Sequence, residues 1–397
     1  MTKTISQKII GMNGDEAVAF AAKQAQVDVV AAYPITPQTI IVERFSDYVA
    51  NGEVDTQYVC VESEHSALSA CVGSSLAGSR VFTATSSQGL ALMHEVLYLA
   101  SGLRTPIVMA VANRALSAPI NIHNDHSDMM GSRDCGWIQI YAENAQESYD
   151  WTLQAFRIAE DHKVSLPVTV NLDGFTISHA MEGVSVLEDD EVTRFLGRRT
   201  PMYKLDIAKP MTFGALTLPD YYSEFKQQQV EAMKNAPPVI TSVANEFNRI
   251  SGRQYSNLSG FNMSDADAAV VCMGSVAGTA RTVATKLRKQ GKRVGVLKLW
   301  QYRPFPTQEV ARALSKVKSV GVIDRAVSFG APYGALGSDI ASTKVLTGIQ
   351  TKIFNVICGL GGRDIKPADI EGIFERALRH ADGAPIDDPL TLLGVRP

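Results

Sequence analysis

The chain has 397 residues, 45% of them hydrophobic, and a formal net charge of -3; this length suits two or three domains with packed cores, and the charge balance argues against nucleic acid, which would favour a basic face. Five cysteines, Cys60, Cys71, Cys135, Cys272 and Cys358, share no CxxC spacing, which argues against an iron–sulfur cluster or zinc site held by this chain alone and for reduced thiols in a cytoplasmic protein. The opening "MTKTISQKIIGMNGDEA" lacks a signal-peptide core, and no uncharged apolar run reaches the ~18–20 residues of a membrane span, so no membrane is expected.

From residue 13 to about 180, strand-like and helix-like pieces alternate. "GDEAVAFAAKQAQ" reads as an Ala-rich helix, residues 27–32 as a buried strand, and the next helix carries Ile41, Phe45, Tyr48 and Val49 at helical spacing. "TQYVCVE" (56–62) is a strand, "HSALSACVGSSLAG" a helix of small residues, "RVFTATSS" (80–87) a strand, "QGLALMHEVLYLASG" a helix and "PIVMAVAN" (106–113) a strand. A long loop, 113–137, precedes "WIQIY", a helix from about Asn144 to His162, and the strand "LPVTVNLDG". Alternation with apolar strands predicts a mostly parallel sheet covered on both faces. Residues 181–265 change character: Pro201, Pro210 and Pro219 punctuate a polar segment, followed by two helices at about 221–235 and 238–251. The second has Ile240, Val243, Phe247 and Ile250 on one face, so the segment reads as a connecting arm packed on the core. From 266 to 397 a second unit of the same kind follows. The expected fold class is α/β, with two doubly wound, mostly parallel-sheet domains at 1–180 and 266–397.

Ligands of such sheets bind beyond the carboxyl ends of the strands, which singles out the loops "YPITP" (33–37), "ESEHS" (62–66), "TSSQG" (85–89) and 113–137. In the first, Pro34 and Pro37 stiffen the path around Thr36. Glu62 closes a strand and Glu64 opens a helix, where a glutamate either caps the helix or presents a carboxyl group to a cofactor. Ser86, Ser87 and Gly89 precede a helix and fit either an anion cradle or an ordinary N-cap. The long loop holds Arg114, Asn121, His123, Asn124, Asp125, His126, Asp128 and Arg133. His126 and Asp128 raise a metal site, but a hydrogen-bonded lid accounts for them as well, and no metal ligands are assigned. Arg114, at a strand end, is suited to grip a carboxylate with two parallel hydrogen bonds, with a surface ion pair as the competing reading. "GLGGRD" (359–364) has Asp364 where a dinucleotide fingerprint wants its last glycine. There is no P-loop, no GxSxG elbow, and no GDG-then-asparagine pattern of the sort that holds Mg2+ and a diphosphate in thiamine enzymes.

At "YPITP", "ESEHSA", "TSSQGL" and "RALSAP…DHSD…RDCGW", and on through "MGSVAGTA", "RPFP", "DRAVSFG" and "GLGGRD", the sequence resembles the 2-oxoacid:ferredoxin oxidoreductase family. The resemblance covers most of the chain and is nearest to the alpha subunit of the multi-subunit pyruvate enzymes. It implies a pyrimidine-binding domain followed by a domain of the transketolase C-terminal type. It also implies a reaction of 2-oxoacid, coenzyme A and oxidised ferredoxin to acyl-CoA, CO2 and reduced ferredoxin. Thiamine diphosphate with Mg2+ would be shared with a beta subunit, while [4Fe–4S] clusters would sit on partner subunits, with a gamma and a ferredoxin-like delta subunit completing the complex. Carried over residue by residue, Glu64 matches the glutamate that hydrogen-bonds the pyrimidine ring nitrogen and relays a proton. Thr36 matches the threonine beside the substrate and Arg114 the arginine that meets the 2-oxoacid carboxylate. Tyr33, Pro34, Ser86 and Ser87 fall on the cofactor side, and Asn121, His123, Asp125 and His126 on the loop expected to face the substrate's variable side chain. Pyruvate is the favoured substrate, with a branched 2-oxoacid, 2-oxoglutarate or an aryl glyoxylate as alternatives. A non-redox thiamine-dependent transferase or decarboxylase, or a non-catalytic nucleotide-binding or scaffold subunit, would be a different class.

Overall fold

The computed structural model describes residues 7–396; residues 1–6, where the expected first domain starts, and Pro397 lie outside the described residues. In chain order the strands are β1 (Lys8–Met12), β2 (Val29–Ala32), β3 (Gln57–Cys60), β4 (Val81–Thr85), β5 (Val108–Asn113), β6 (Ile138–Tyr141), β7 (Val168–Asp173), β8 (Glu182–Val186), β9 (Leu258–Phe261), β10 (Ala268–Cys272), β11 (Val294–Leu299), β12 (Gln301–Arg303), β13 (Ser319–Asp324), β14 (Lys352–Ile357) and β15 (Leu390–Leu392). A seven-stranded sheet has the order β12-β6-β7-β5-β4-β2-β3, parallel except at β12. A six-stranded sheet has the order β15-β14-β13-β10-β11-β9, parallel except at β9. β1 and β8 form a separate antiparallel pair. The central strands β4, β5 and β7 are buried at every residue, because helices cover both faces of a parallel sheet and leave no wet side. Among the described residues no helix is long and apolar enough to cross a membrane.

The arm differs from its sequence reading. Instead of two helices it contains one of 33 residues, Pro219–Ser251, which runs through Pro237 and Pro238. Two adjacent prolines disfavour helix at that point, but Ala236, Ile240, Val243 and Phe247 are buried in the core of the first sheet on either side of them. That packing holds the helix continuous against local propensity. The short strands β9 and β12 were not foreseen either. β12 lies in sequence between elements of the second sheet, yet it pairs with β6 of the first.

Three buried polar knots fasten the two sheets and the arm together. Asp150 takes Arg253 at 2.5 and 2.7 Å and the Tyr255 hydroxyl at 2.5 Å. Lys298 reaches both Glu143 and Glu147 at 2.5 Å, and Trp300 Nε1 donates to Glu147 at 2.8 Å. Asp173, the last residue of β7, accepts from Ser275 N (2.9 Å), Arg325 (2.5 Å) and His126 Nε2 (2.7 Å). Burial pushes the Asp173 carboxyl up, but Arg325 and His126 outweigh it and hold it well below the usual carboxylate range. Ser275 and Arg325 follow β10 and β13, the strands between which the order of the second sheet reverses. The crevice where an open α/β sheet ordinarily takes a ligand is thus filled by a carboxylate of the first sheet.

Candidate active site

The order of the first sheet reverses between β2 and β4, so its crevice lies between the loops that follow them, "YPITP" and "TSSQG". Gln38 fixes the first loop. It stands where a Ser, Thr or Asp usually caps a helix, but its side chain makes no cap; instead it is fully buried and donates to Tyr33 O (3.0 Å) and Ala84 O (2.9 Å). The stiff loop is thereby pinned to the end of β4, with Tyr33, Pro34 and Thr36 exposed on it. The missing cap residue at a helix start is the sequence signal that singles out Gln38.

The two acidic residues differ in surroundings, and neither caps the helix. Glu62 is exposed and takes the Ser66 hydroxyl, which holds its carboxyl below the ordinary value. Ser63 caps the helix Glu64–Leu76 by accepting from Ser66 N at 3.3 Å. Helix capping is therefore done without Glu64, whose buried side chain extends to Gly89 and Thr85. A Cβ on Gly89 would stand 2.6 Å from Glu64 Oε1 and 2.5 Å from Thr85 Oγ1. Among the described residues no protein donor bonds the Glu64 carboxyl, and the Thr85 and Ser86 hydroxyls are buried without a partner. This donor-free carboxyl, next to orphaned hydroxyls and a position where any Cβ would crowd it, fits a ring nitrogen as its missing partner.

Of the two readings of "TSSQG", the N-cap is not made by the Ser86 side chain and the anion cradle is filled from within. Ser87, in the left-handed region at φ 48, donates its backbone N–H to Asp128 Oδ2 (3.0 Å) and its hydroxyl to Ala115 O (2.7 Å). Arg114 is 7% exposed, and among the described residues no carboxylate pairs with it, which removes the surface ion pair reading. Its guanidinium is held by two carbonyls instead, Thr36 O at 2.9 Å and Asn121 O at 3.0 Å. Thr36, Arg114 and Asn121 are thus tied together.

Of the other loop residues, Asp125 and His126 turn inward rather than toward the loop's outer face, because the second half of the loop folds into the short helix Ser127–Gly131. Asp125 accepts from Ser127 N and Oγ, and His126 belongs to the Asp173 knot. His123 is exposed and lies 4.8 Å from the Phe175 ring, centroid to centroid. The loop docks on "GLGGRD": Asn121 Nδ2 donates to Gly361 O (3.1 Å) and Gly362 N donates to Asn124 O (2.6 Å). Gly361 and Gly362 have φ of 59 and 78, and a Cβ on either would stand 2.4 Å from Asn121 or His123. This glycine run therefore receives a loop of the same chain, whereas a dinucleotide fingerprint would receive a pyrophosphate.

Residues 20–245 match the family "Pyruvate flavodoxin/ferredoxin oxidoreductase, thiamine diP-bdg", and residues 266–370 match "Pyruvate:ferredoxin oxidoreductase core domain II". The chain is 50% identical to the pyruvate synthase subunit PorA of Thermotoga maritima over 98% of both chains, and 49% identical to that of Methanocaldococcus jannaschii over 96% of both. It is 43% identical to the ketoisovalerate oxidoreductase subunit VorA of Pyrococcus horikoshii over 95% of both. Among solved structures it resembles a 2-oxoglutarate:ferredoxin oxidoreductase from Magnetococcus marinus, with a TM-score of 0.72 and 19% identity, covering 94% of this chain and 66% of that one. A split gene transketolase matches with a TM-score of 0.56 and 12% identity over 93% of this chain and 99% of that one. At these identities the two structures support the fold alone.

Proposed function

The chain belongs to the pyruvate:ferredoxin oxidoreductase family, and we propose that it is the alpha subunit of a 2-oxoacid:ferredoxin oxidoreductase that converts pyruvate and coenzyme A to acetyl-CoA and CO2. The observation that carries this reading is Arg114, a buried guanidinium with no carboxylate partner, held open by the carbonyls of Thr36 and Asn121. A desolvated cation so placed favours an anion that arrives with the substrate. Arg114 receives the 2-oxoacid carboxylate, and the Thr36 hydroxyl, on the pinned loop beside it, orients the keto end. Glu64 holds the pyrimidine ring by a nitrogen and exchanges a proton there, while Tyr33, Pro34 and Ser86 border the ring. When bound, thiamine diphosphate supplies the nucleophilic carbon and the electron sink that decarboxylation requires. The diphosphate and Mg2+ fall to a beta subunit, since this sequence has no GDG pattern. The [4Fe–4S] clusters fall to partner subunits, including gamma and a ferredoxin-like delta, with ferredoxin as electron carrier. Five free cysteines agree with work in the cytoplasm.

A second reading, a branched 2-oxoacid as substrate, is favoured by the VorA relative, though at lower identity than the pyruvate synthase subunits of Thermotoga maritima and Methanocaldococcus jannaschii. The test is a panel of 2-oxoacids offered to the assembled complex with coenzyme A and a low-potential dye. Pyruvate should show the highest kcat/KM, and the chain alone should be inactive. A complex that prefers 3-methyl-2-oxobutanoate would overturn the pyruvate assignment. A complex that turns over 2-oxoacids without needing thiamine diphosphate would overturn the mechanism.

A further inference from the structure

One carboxylate stands between the two halves of the candidate site. Asp128, on the helix Ser127–Gly131, is 3% exposed and accepts four N–H groups. Oδ2 takes the backbone N–H of Ser87 (3.0 Å) and of Arg114 (2.9 Å); Oδ1 takes the Asn113 side chain (2.9 Å) and Met129 N (2.7 Å). Among the described residues none of its partners is a charged side chain, and the Arg114 guanidinium turns away to the carbonyls of Thr36 and Asn121. An unpaired carboxylate is expensive to bury. Ser87, which it holds, keeps a left-handed backbone at φ 48, a conformation that costs any residue with a side chain. Two unfavourable features maintained by one set of hydrogen bonds mark a device rather than a loop anchor. Ser87 opens the turn that brings Gly89 against Glu64, and Arg114 carries the substrate side.

We propose that Asp128 is a positioning residue for the 2-oxoacid reaction: its carboxylate fixes the register between the Ser87–Gly89 turn, on the Glu64 side, and the Arg114 backbone, on the substrate side. The inference rests on the roles proposed above for Glu64 and Arg114. A proton on Asp128 converts an acceptor into a donor that faces N–H groups, so it loosens one of the two sides. Burial pushes its carboxyl up to about 6, with Asp125 on the same loop adding to the rise and the bonds from Arg114, Asn113 and Ser87 opposing it. His126, two residues before it, and Tyr141, from β6, with their rings 5.0 Å apart, are further titratable groups beside it, and burial raises Tyr141 well above its ordinary value.

The test uses the assembled complex carrying Asp128→Asn or Asn113→Ala. It measures kcat and KM for pyruvate through the acid range, together with hydrogen exchange of the segments 85–92 and 113–116. Asp128→Asn should lower kcat/KM about 10- to 100-fold, the scale of an ångström-level misplacement. It should do so mainly through KM, remove the acid limb near pH 6, and speed exchange at Ser87 and Arg114. Asn113→Ala removes one bond that favours the ionised carboxyl, so it should move the acid limb to higher pH. An Asp128→Asn complex that assembles with unchanged KM and the wild-type acid limb would show a plain structural anchor and overturn the proposal. Should that variant fail to assemble, an acid limb left unmoved by Asn113→Ala overturns it equally. A wild-type complex that turns over no 2-oxoacid would overturn the functional reading, and this inference with it.

Discussion

Replacing Gly89 by alanine tests whether Glu64 works at a fixed position. The added Cβ would stand 2.6 Å from Glu64 Oε1 and 2.5 Å from Thr85 Oγ1, where ordinary contact begins at 3.4 Å. Thr85 ends the buried strand β4 and is β-branched, so it gives little. Glu64 must therefore retreat by most of an ångström, a displacement that costs about 10- to 100-fold in rate when the group takes part in the chemistry. Stability should change far less: alanine in a helix gains about 0.5–1 kcal/mol over glycine, and overpacking costs about 1–3 kcal/mol, so the two largely offset. The assay is proton exchange at the reactive carbon of thiamine diphosphate in the assembled complex, alongside kcat and a thermal melt. Gly89→Ala should slow exchange and kcat together while Tm moves by only a few degrees. Wild-type exchange in a folded Gly89→Ala complex would refute the placement of Glu64 at the pyrimidine ring.

Arg114→Ala should raise the KM for the 2-oxoacid so that kcat/KM falls by about 100-fold or more, the scale of a broken buried pair, while calorimetry still finds thiamine diphosphate bound; an unchanged KM removes Arg114 from the substrate site. Asp173→Asn should cost about 3–5 kcal/mol at neutral pH, because it leaves Arg325 buried and unpaired. Since the folded Asp173 carboxyl is held below its ordinary value, its contribution is present above the unfolded pKa of about 4 and is lost as pH falls toward the folded value. The melting temperatures of wild type and variant should therefore converge in acid. Asp15 has the opposite sign: burial, with Glu16 adding to it, raises its carboxyl well above the ordinary value, and among the described residues neither oxygen has a partner. Its ionisation opposes folding as pH rises above about 4, so Asp15→Asn should stabilise the protein by about 1–3 kcal/mol at neutral pH and show no advantage below the unfolded pKa.

What the sequence revealed and what it hid follow from the range of the interactions concerned. β4, β5 and β7 were legible because a strand covered on both faces is apolar at every position, and that is a local property. The loops carrying Thr36, Glu64 and Arg114 were legible because the carboxyl ends of parallel strands are found by alternation alone. β12 was not legible: "QYR" has no strand character, and it becomes a strand only because Trp300 and Tyr141 bring it beside β6, where Tyr141 N donates to Trp300 O at 2.8 Å. The helix through Pro237 and Pro238 was misread for the same reason, its continuity being a property of the surface beneath it.

"GLGGRD" shows how far a local pattern reaches: Asp364 in place of the last glycine set it apart from a dinucleotide fingerprint, but not what it receives instead. Its glycines adopt positive φ and permit close approach, and nothing in the local sequence says to what. Only the positions of Asn121 and His123, more than two hundred residues earlier in the chain, decide it. The same holds for the crevice of the second sheet, which Asp173 and His126 occupy. Both ligand-like features of the second sheet are thus used to grip the first, and the sides of the first-sheet site formed by loop 113–137 and the end of β7 are the parts gripped. The second sheet consequently shapes the candidate site through these contacts. Crowding Asn121 by Gly361→Ala should therefore disturb Arg114, which the Asn121 carbonyl holds, and raise the KM for the 2-oxoacid in the assembled complex; an unchanged KM would refute that coupling.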